Sequence, residues 1–217
     1  MEVTADLKRA TDVLPADPAT LREFSEHLGR RPIFLAASTH SGEETQIKTV
    51  HDTLRHRHPG LLTIIAPRHP DRGPELARTL GAPRRQAGEP PPDEGVWIAD
   101  TLGELGLWYR LSHVSFIGRS LISPGGGQNP LEPARLGCAI AVGPFTDNFT
   151  ENVALLGAAD AVQVVKDAEA LSHCADAMLC DPEARRQMGE RARSAVQLPE
   201  TPRDDVARTL LDLVRRD

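Results

Sequence analysis

Short apolar segments alternate with amphipathic stretches along most of the chain. Six short segments of mostly apolar residues predict buried strands. They are 33–37, 61–66, 96–99, 114–117, 138–142 and 161–165. Between them, apolar residues recur at helical spacing, as at Ile47, Val50 and Leu54. The pattern therefore predicts strands that alternate with helices.

This alternation also predicts the fold class. Strands that are apolar along their whole length are typical of a parallel sheet covered by helices on both faces. We expect an α/β fold with a single Rossmann-like, doubly wound parallel sheet of about six strands and a helical C-terminal tail. Asp17-Pro18 and Asp181-Pro182 are cap and first-turn pairs that predict two helix starts. The polar segment 1–16 is expected to be a linker.

Composition and charge argue against several classes of protein, among them nucleic-acid-binding and membrane-spanning chains. A chain of 217 residues suffices for one substantial domain, and its net charge of −6 gives no general attraction to nucleic acid. Cys138, Cys174 and Cys180 form no CxxC motif, so we expect reduced thiols and no metal site built on them. No segment has the length and apolarity of a membrane span or of a signal peptide. We expect a cytoplasmic chain with no nucleic-acid partner.

The loop after the first predicted strand is a candidate ligand site, because ligands of such sheets bind beyond the carboxyl ends of the strands. Ser41 and Glu44 have the spacing of a capping box, and a well-capped helix explains that spacing by itself. Ser38, Thr39 and His40 precede the cap on the ligand side. The N–H groups of the helix start would favour an anion there.

The loop after the second strand offers a cation. Pro67 is expected to end the strand because proline cannot extend the ladder of hydrogen bonds. Arg68 then lies just beyond the sheet, where its guanidinium can hold a phosphate or a carboxylate through two parallel hydrogen bonds. A surface arginine in a turn explains this pattern equally well.

The loop after the third strand repeats the spacing of a capping box. Thr101 and Glu104 are three residues apart, and Gly103 between them would allow a ligand to approach the backbone closely. A helix cap alone explains these residues about as well as a binding site does.

A glycine-rich loop follows the fourth strand. Three consecutive glycines, 125–127, precede Pro130, which is expected in the first turn of a helix. The start of that helix would offer free N–H groups to a phosphate, and the carboxylate of Glu132 could accept two hydrogen bonds from a ribose diol. The alternative is a flexible connection with an acidic first turn.

Several common catalytic and cofactor motifs are absent from the sequence. It contains no GxGxxG dinucleotide motif, no GxxxxGK[ST] phosphate loop, no GxSxG nucleophile turn and no HExxH metal motif. The residues by themselves therefore predict a Rossmann-like domain that binds a phosphorylated small molecule.

The loops, taken in order, resemble one family closely. The matching segments are LAASTHSGEE at 35–44, PRHP at 67–70, DTLGEL at 100–105, NPLEPA at 129–134, and GP and NF at 143–144 and 148–149. Five such segments in the family's order are a specific signal. They resemble the 3-deoxy-D-manno-octulosonic acid (Kdo) transferases, which transfer Kdo from CMP-Kdo to a lipid A precursor.

The resemblance implies a GT-B glycosyltransferase, which has two Rossmann-like domains, and it covers only the C-terminal, donor-binding half. Residues 1–16 would then be an interdomain linker and residues 17–217 the CMP-Kdo binding domain. The resemblance implies donor contacts from Pro67, Arg68, Leu102, Gly103, Glu104, Asn129, Pro130, Leu131 and Glu132, with Ser38 and Thr39 facing the donor sugar.

The implied reaction is inverting glycosyl transfer. Its general base would lie in an N-terminal domain outside this chain, so no catalytic residue is assigned here, and no metal or other cofactor is expected. The acceptor, lipid IVA, would bind through that other domain, and the intact protein would lie at the cytoplasmic face of the inner membrane of a Gram-negative bacterium. We expect this chain alone to bind CMP weakly and to be inactive.

The sequence departs from the family at two positions and leaves two alternatives open. Gln128 lies where many members have His, and Arg119 where Gly is common. One alternative is a UDP-sugar epimerase, which would prefer UDP to CMP. The other is a non-catalytic nucleotide-binding module with a degenerate site.

Overall fold

Parallel strands alternate with helices throughout residues 13–197, which are the residues that the computed structural model describes. The strands are β1 (Ile33–Thr39), β2 (Leu62–Pro67), β3 (Gly95–Ile98), β4 (Val114–Ile117), β5 (Ala139–Val142) and β6 (Gln163–Val164). The helices are α1 (Pro18–Leu28), α2 (Glu43–Leu54), α3 (Gly73–Leu80), α4 (Leu105–Leu111), α5 (Leu131–Arg135), α6 (Thr150–Ala158), α7 (Ala168–Cys180) and α8 (Pro182–Val196).

The six strands form one parallel sheet in the order β3-β2-β1-β4-β5-β6. β1 is central, and Ala37 near its end lies opposite Ala66 of β2 and Ile117 of β4. The direction in which the chain adds strands reverses between β1 and β4. A crevice therefore opens there, beyond the carboxyl ends of the strands. The predicted fold class is confirmed.

Alternate residues of each strand pack into two separate apolar layers. In β1, Leu35 faces the layer formed with α1, α4, α5, α6 and α8, whereas Phe34 faces the layer formed with α2, α3 and α7. Both side chains are fully buried. Helices on both faces explain why the strands are apolar along their whole length.

Two predicted helix starts are confirmed by their hydrogen bonds. The carboxylate of Asp17 accepts from the Thr20 N–H at 2.8 Å, and that of Asp181 accepts from the Ala184 N–H at 2.9 Å. Both prolines occupy the first turn. The last strand is shorter than the apolar segment 161–165 predicts, because only Gln163 and Val164 pair with β5 at the exposed edge of the sheet.

Most of the predicted linker, residues 1–12, lies outside the described residues. The segment 14–16, which precedes Asp17, is packed against the domain. Leu14 and Ala16 contact the apolar core, and a Cβ atom added to Gly106 of α4 would meet the carbonyl oxygen of Pro15 at 2.2 Å. Glycine at 106 thus allows this segment to lie directly on α4. In the described range, no helix combines the length and apolar character that crossing a bilayer requires.

Candidate functional site

A single buried carboxylate, that of Glu43, joins the two walls of the crevice between β1 and β4. Glu43 is 1% exposed at the start of α2. It accepts hydrogen bonds from the backbone N–H groups of Arg119 at 2.6 Å, Ser120 at 2.9 Å and Leu121 at 3.0 Å, all in the loop after β4. It also accepts from the N–H of His40 at 2.9 Å. These four bonds fix the loops after β1 and β4 relative to each other.

The neighbouring carboxylate, Glu44, is also buried and paired. It accepts from the guanidinium of Arg72 at 2.6 Å and from the hydroxyl of Thr39 at 3.0 Å. The predicted capping box of Ser41 and Glu44 is wrong, because Gly42 is the N-cap residue of α2 and no side chain caps that helix. Thr39 is fully buried and donates to Glu44, so its hydroxyl does not face the crevice.

Two residues at the crevice adopt the left-handed backbone conformation although neither is glycine. Ser38 and Arg119 both have φ of 56°. The backbones of the two loops are in close contact here, since a Cβ atom on Gly118 would meet the carbonyl oxygen of Ser38 at 2.6 Å. The Ser38 carbonyl accepts a hydrogen bond from Nδ1 of His40 at 3.2 Å. Ser38 thus lies at the contact between the two loops.

Histidine and arginine side chains gather around the loop after β1. The rings of His40 and His69 meet edge to face at 5.9 Å. Burial lowers the pKa of His40, and the neighbouring Arg119 and His69 lower it further, against the raising effects of the Ser38 carbonyl and of Glu43. His40 is therefore neutral at neutral pH, and the exposed guanidinium of Arg119 supplies positive charge beside it.

Pro67 and Arg68 lie where the sequence places them, at the carboxyl end of β2. Pro67 is the last residue of β2 and lies opposite Thr39. The backbone N–H of Arg68 donates to the Thr39 carbonyl at 3.0 Å, while its side chain is exposed. The charge of Arg68 is one of the influences that lower the pKa of Glu132, a residue of a different loop.

Glu104, which follows β3, forms an ion pair with Arg85 within the domain. Its carboxylate accepts from Nε of Arg85 at 2.5 Å and from the Thr101 hydroxyl. Burial alone would raise the pKa of Glu104, but the bonds from Arg85 and Thr101 outweigh it and hold this pKa below its usual value. Thr101 bonds to the Glu104 side chain and caps no backbone N–H, so the second predicted capping box is also wrong.

The loop after β3 forms one wall of an open cavity of about 510 Å³. Leu102 at its rim is 80% exposed, which is unusual for a large apolar side chain. Gly103 has φ of 80° with open space around the position of a Cβ, so its backbone conformation, not a close contact, requires glycine. The cavity is lined by Pro70, Asp71, Gln86, Asp100, Thr101, Leu102 and Glu104.

The glycine-rich loop is packed and hydrogen-bonded. Gly126 donates to the Phe145 carbonyl and Gly127 to the Arg119 carbonyl, at 3.2 and 2.7 Å. A Cβ atom on Gly125 would meet Cβ of Phe145 at 2.3 Å. The alternative of a flexible connection is therefore wrong, and the glycines are explained by close packing against the segment after β5.

The start of α5 offers fewer free N–H groups than the sequence predicts. Pro130 is the N-cap residue, one position earlier than expected, and α5 has only five residues. The Leu131 N–H donates to the side-chain oxygen of Asn129 at 3.1 Å, and Pro133 has no N–H. Recognition of a phosphate would therefore depend on side chains more than on this helix start.

Glu132 is a partly buried carboxylate in the first turn of α5. Burial raises its pKa above the ordinary value, opposed by a hydrogen bond from Asn129 and by the charges of Arg135 and Arg68. The bond from Asn129 is long, 3.4 Å between Nδ2 and Oε1. Glu132 thus keeps the capacity to accept hydrogen bonds from a ligand.

Comparisons with known proteins identify the family. No protein-family model matches the chain. The chain is 37% identical to the 3-deoxy-D-manno-octulosonic acid transferase of Haemophilus influenzae over 166 residues. It is 34% identical to the solved C-terminal CMP-Kdo binding domain of WaaA from Acinetobacter baumannii, with a TM-score of 0.77 over 83% of this chain and 97% of that domain. The chain belongs to the Kdo transferase family.

Within that family, the chain corresponds to the C-terminal part alone. The match covers 73% of this chain but 39% of the Haemophilus protein, so the chain spans less than half the length of that relative. A proposed UDP-N-acetylglucosamine 2-epimerase from Listeria monocytogenes shares the fold, with a TM-score of 0.53 at 16% identity over 84% of this chain and 45% of that one. That likeness extends to the fold and no further.

Three residues that shape the crevice were not predicted: Glu43, Arg72 and Arg85. Glu43 had a visible signal, because it shares a helical face with the buried residues Ile47 and Val50. A carboxylate on an apolar helix face must find hydrogen-bond donors inside the protein. The other two are distant in sequence from their partners and carried no comparable signal.

Proposed function

We propose that this chain is the donor-binding domain of a Kdo transferase and that it binds CMP-Kdo at the carboxyl ends of β1 to β4. The observation that carries the proposal is the placement of a cation and a carboxylate beyond the carboxyl ends of the strands: Arg68 directly follows β2, and Glu132 lies in the first turn of the helix after β4. A guanidinium suits the phosphate of CMP, and a carboxylate suits the two hydroxyls of its ribose. The similarity to a solved CMP-Kdo binding domain supports the assignment.

The nucleotide base would enter the cavity beside the loop after β3. That cavity has space for a pyrimidine ring and has Leu102 at its rim, where an exposed apolar side chain can pack on the ring. Gly103, Asn129, Pro130 and Leu131 would shape the surroundings of the nucleotide, and Ser38 would face the donor sugar. Glu104 would act indirectly, because Arg85 already neutralises it.

The intact enzyme would transfer Kdo from CMP-Kdo to a lipid A precursor, lipid IVA, in lipopolysaccharide biosynthesis. Its other half would supply the acceptor site and the general base that deprotonates the acceptor hydroxyl. The hydroxyl oxygen then attacks the anomeric carbon, and CMP leaves with the electrons of the broken bond. Arg68 would stabilise the charge that grows on the departing phosphate, so this proposal needs no metal or other cofactor.

The cellular location follows from the same proposal. An enzyme that joins a nucleotide sugar to a lipid precursor works where cytoplasm and membrane meet. We place the intact protein at the cytoplasmic face of the inner membrane of a Gram-negative bacterium.

A titration of the chain with CMP, UMP and AMP by calorimetry tests the choice of donor. We expect CMP to bind more tightly than UMP or AMP. A preference for UMP would contradict the proposal and favour another sugar-nucleotide enzyme.

A transfer assay tests whether catalysis requires the other half of the enzyme. With CMP-Kdo and lipid IVA, we expect no Kdo-lipid product from this chain, whereas the complete transferase of Haemophilus influenzae serves as the positive control. Turnover by this chain alone would refute the assignment of the general base to another domain.

A further inference from the structure

A second cluster of chemically versatile side chains lies where the end of α2 meets α7. Nε2 of His58 is 2.7 Å from Oδ1 of Asp176, and Sγ of Cys180 is 3.9 Å from the same oxygen. One nitrogen, one oxygen and one sulfur atom thus lie within 4.8 Å of one another. Each belongs to a side-chain type that binds transition metals.

This cluster is remote from the nucleotide crevice. Glu43 begins α2 at the crevice, and His58 follows the other end of this 12-residue helix. At 1.5 Å per residue the helix is about 18 Å long. His58 therefore lies near the amino ends of the strands, whereas the crevice lies beyond their carboxyl ends. Asp176 and Cys180 are four residues apart on α7 and share one of its faces. No step of the proposed transfer uses these residues.

We infer that His58, Asp176 and Cys180 form a zinc site, with water as the fourth ligand. Imidazole nitrogen, carboxylate oxygen and thiolate sulfur are the three protein donors of Zn²⁺. Tetrahedral bonds of about 2.0–2.3 Å separate neighbouring ligand atoms by about 3.3–3.7 Å. The observed separations are 2.7 Å between His58 and Asp176 and 3.9 Å between Asp176 and Cys180, and the third, between His58 and Cys180, is at most 4.8 Å. Side-chain movements of about 1 Å complete the geometry.

The surroundings of Asp176 favour this arrangement. Arg57 donates to Oδ2 of Asp176, which orients the carboxylate and leaves Oδ1 facing His58 and Cys180. Outer hydrogen bonds of this kind commonly fix metal-binding carboxylates. The side chains of His58 and Asp176 are 10% and 18% exposed, whereas Cys180 is exposed. The site is therefore sheltered on one side and open to an entering ion on the other.

Cys180 is the exposed cysteine, whereas Cys138 is buried and Cys174 is half-buried. Burial raises the pKa of Cys138 to about 12 and that of Cys174 to about 11, so both remain protonated thiols. The sequence predicted no metal site on the cysteines because they form no CxxC motif. Folding supplies the missing ligands, since His58 is more than one hundred residues from Asp176 along the chain.

Zinc at this position would link two helices of the same layer. α2 and α7 cover one face of the sheet and contribute to the same apolar cluster. Binding would displace the thiol proton of Cys180 to solvent, so the affinity should fall as the pH is lowered. The bound ion would stabilise the packing of α7 on α2.

Metal titration of the chelator-treated chain tests this site. We expect Co²⁺ to give the visible absorption of a tetrahedral complex and the near-ultraviolet charge-transfer band of a cobalt–thiolate bond, and Zn²⁺ to displace it. Cys180→Ser alters an exposed side chain and should abolish the charge-transfer band and weaken Zn²⁺ binding by roughly 100-fold or more. Circular dichroism checks that the variant is folded.

His56→Ala is the matched control, because His56 is exposed near the cluster but contributes no ligand. It should bind both metals like the wild type. Three results would overturn the inference: no metal uptake by the wild type, unchanged affinity in Cys180→Ser, or an equal loss in His56→Ala.

Discussion

The carboxylate of Glu43 accepts a hydrogen bond from the backbone N–H of Ser120 at 2.9 Å and so joins the helix after β1 to the loop after β4. The two loops form the walls of the crevice at the reversal point of the sheet. Their relative position therefore depends on one buried charge. A backbone held in this way keeps its shape before any ligand arrives, which lowers the cost of binding.

Glu43→Ala should lower the free energy of unfolding by about 3 kcal/mol or more, because it leaves several buried N–H groups without an acceptor. Urea denaturation measures the change. Glu75→Ala, which removes an exposed glutamate from the first turn of α3, is the control and should change the stability little. A similar small loss in both variants would mean that Glu43 does not hold the loops together.

Arg119→Gly should raise the free energy of unfolding by about 0.5–1 kcal/mol. The left-handed conformation at Arg119 is unfavourable for any residue with a Cβ, and this gain exceeds the extra entropy of glycine in the unfolded chain. Arg119→Ala keeps the Cβ and should show no such gain. Equal stabilities of the two variants, measured by thermal unfolding, would disprove this explanation.

Gly73→Ala should destabilise the domain by about 1–3 kcal/mol, because a Cβ there would meet Oδ2 of the buried Asp100 at 2.0 Å. The helical glycine Gly157 has open space around its Cβ position. Gly157→Ala should therefore stabilise the domain by about 0.5–1 kcal/mol. Opposite signs in calorimetric unfolding support the contact at Asp100, and a gain in both variants would count against it.

The raised pKa of Glu132 predicts a pH-dependent cost to stability. The folded protein binds the proton of Glu132 more tightly than the unfolded chain does. The free energy of unfolding should therefore fall as the pH rises from the unfolded pKa through the folded pKa. Glu132→Gln lacks this titration and should match the wild type in acid but exceed its stability at neutral pH.

Denaturation of the wild type and of Glu132→Gln across this pH range measures the effect. Glu151→Gln, at an exposed position in the first turn of α6, should follow the wild-type curve. If Glu132→Gln also follows the wild type at every pH, burial does not disfavour the ionised form of Glu132.

The sequence predicted the sheet because its signals were local. Apolar strands buried on both faces need only their own composition to be recognised, and the caps at Asp17 and Asp181 need only short spacing. β6 was overestimated because Ala161 and Val162 are buried without being paired residues of the sheet, and Val165 adds a single backbone hydrogen bond, from its N–H to the Val142 carbonyl of β5. Apolar character reports burial and does not report which backbone groups pair.

Side-chain partners in the site were predicted less well, since spacing fits several hydrogen-bond arrangements. Ser41 and Glu44 had the correct spacing for a capping box, but Arg72 offers the buried Glu44 a charged donor from a distant loop. Likewise, Arg85 reaches Glu104 across 19 positions of the chain. Such ion pairs between distant residues form only when the chain folds, so no local sequence pattern predicts them.

Calorimetric titration of CMP into the wild type, Glu132→Ala and Glu151→Ala tests the central claim most directly. If Arg68 and Glu132 bind the nucleotide, CMP should bind the wild type and Glu151→Ala equally. The Glu132→Ala variant should then bind roughly 10-fold or more weakly, since two hydrogen bonds to a charged acceptor are lost. Equal CMP binding by all three proteins, or no binding by the wild type, would contradict the account.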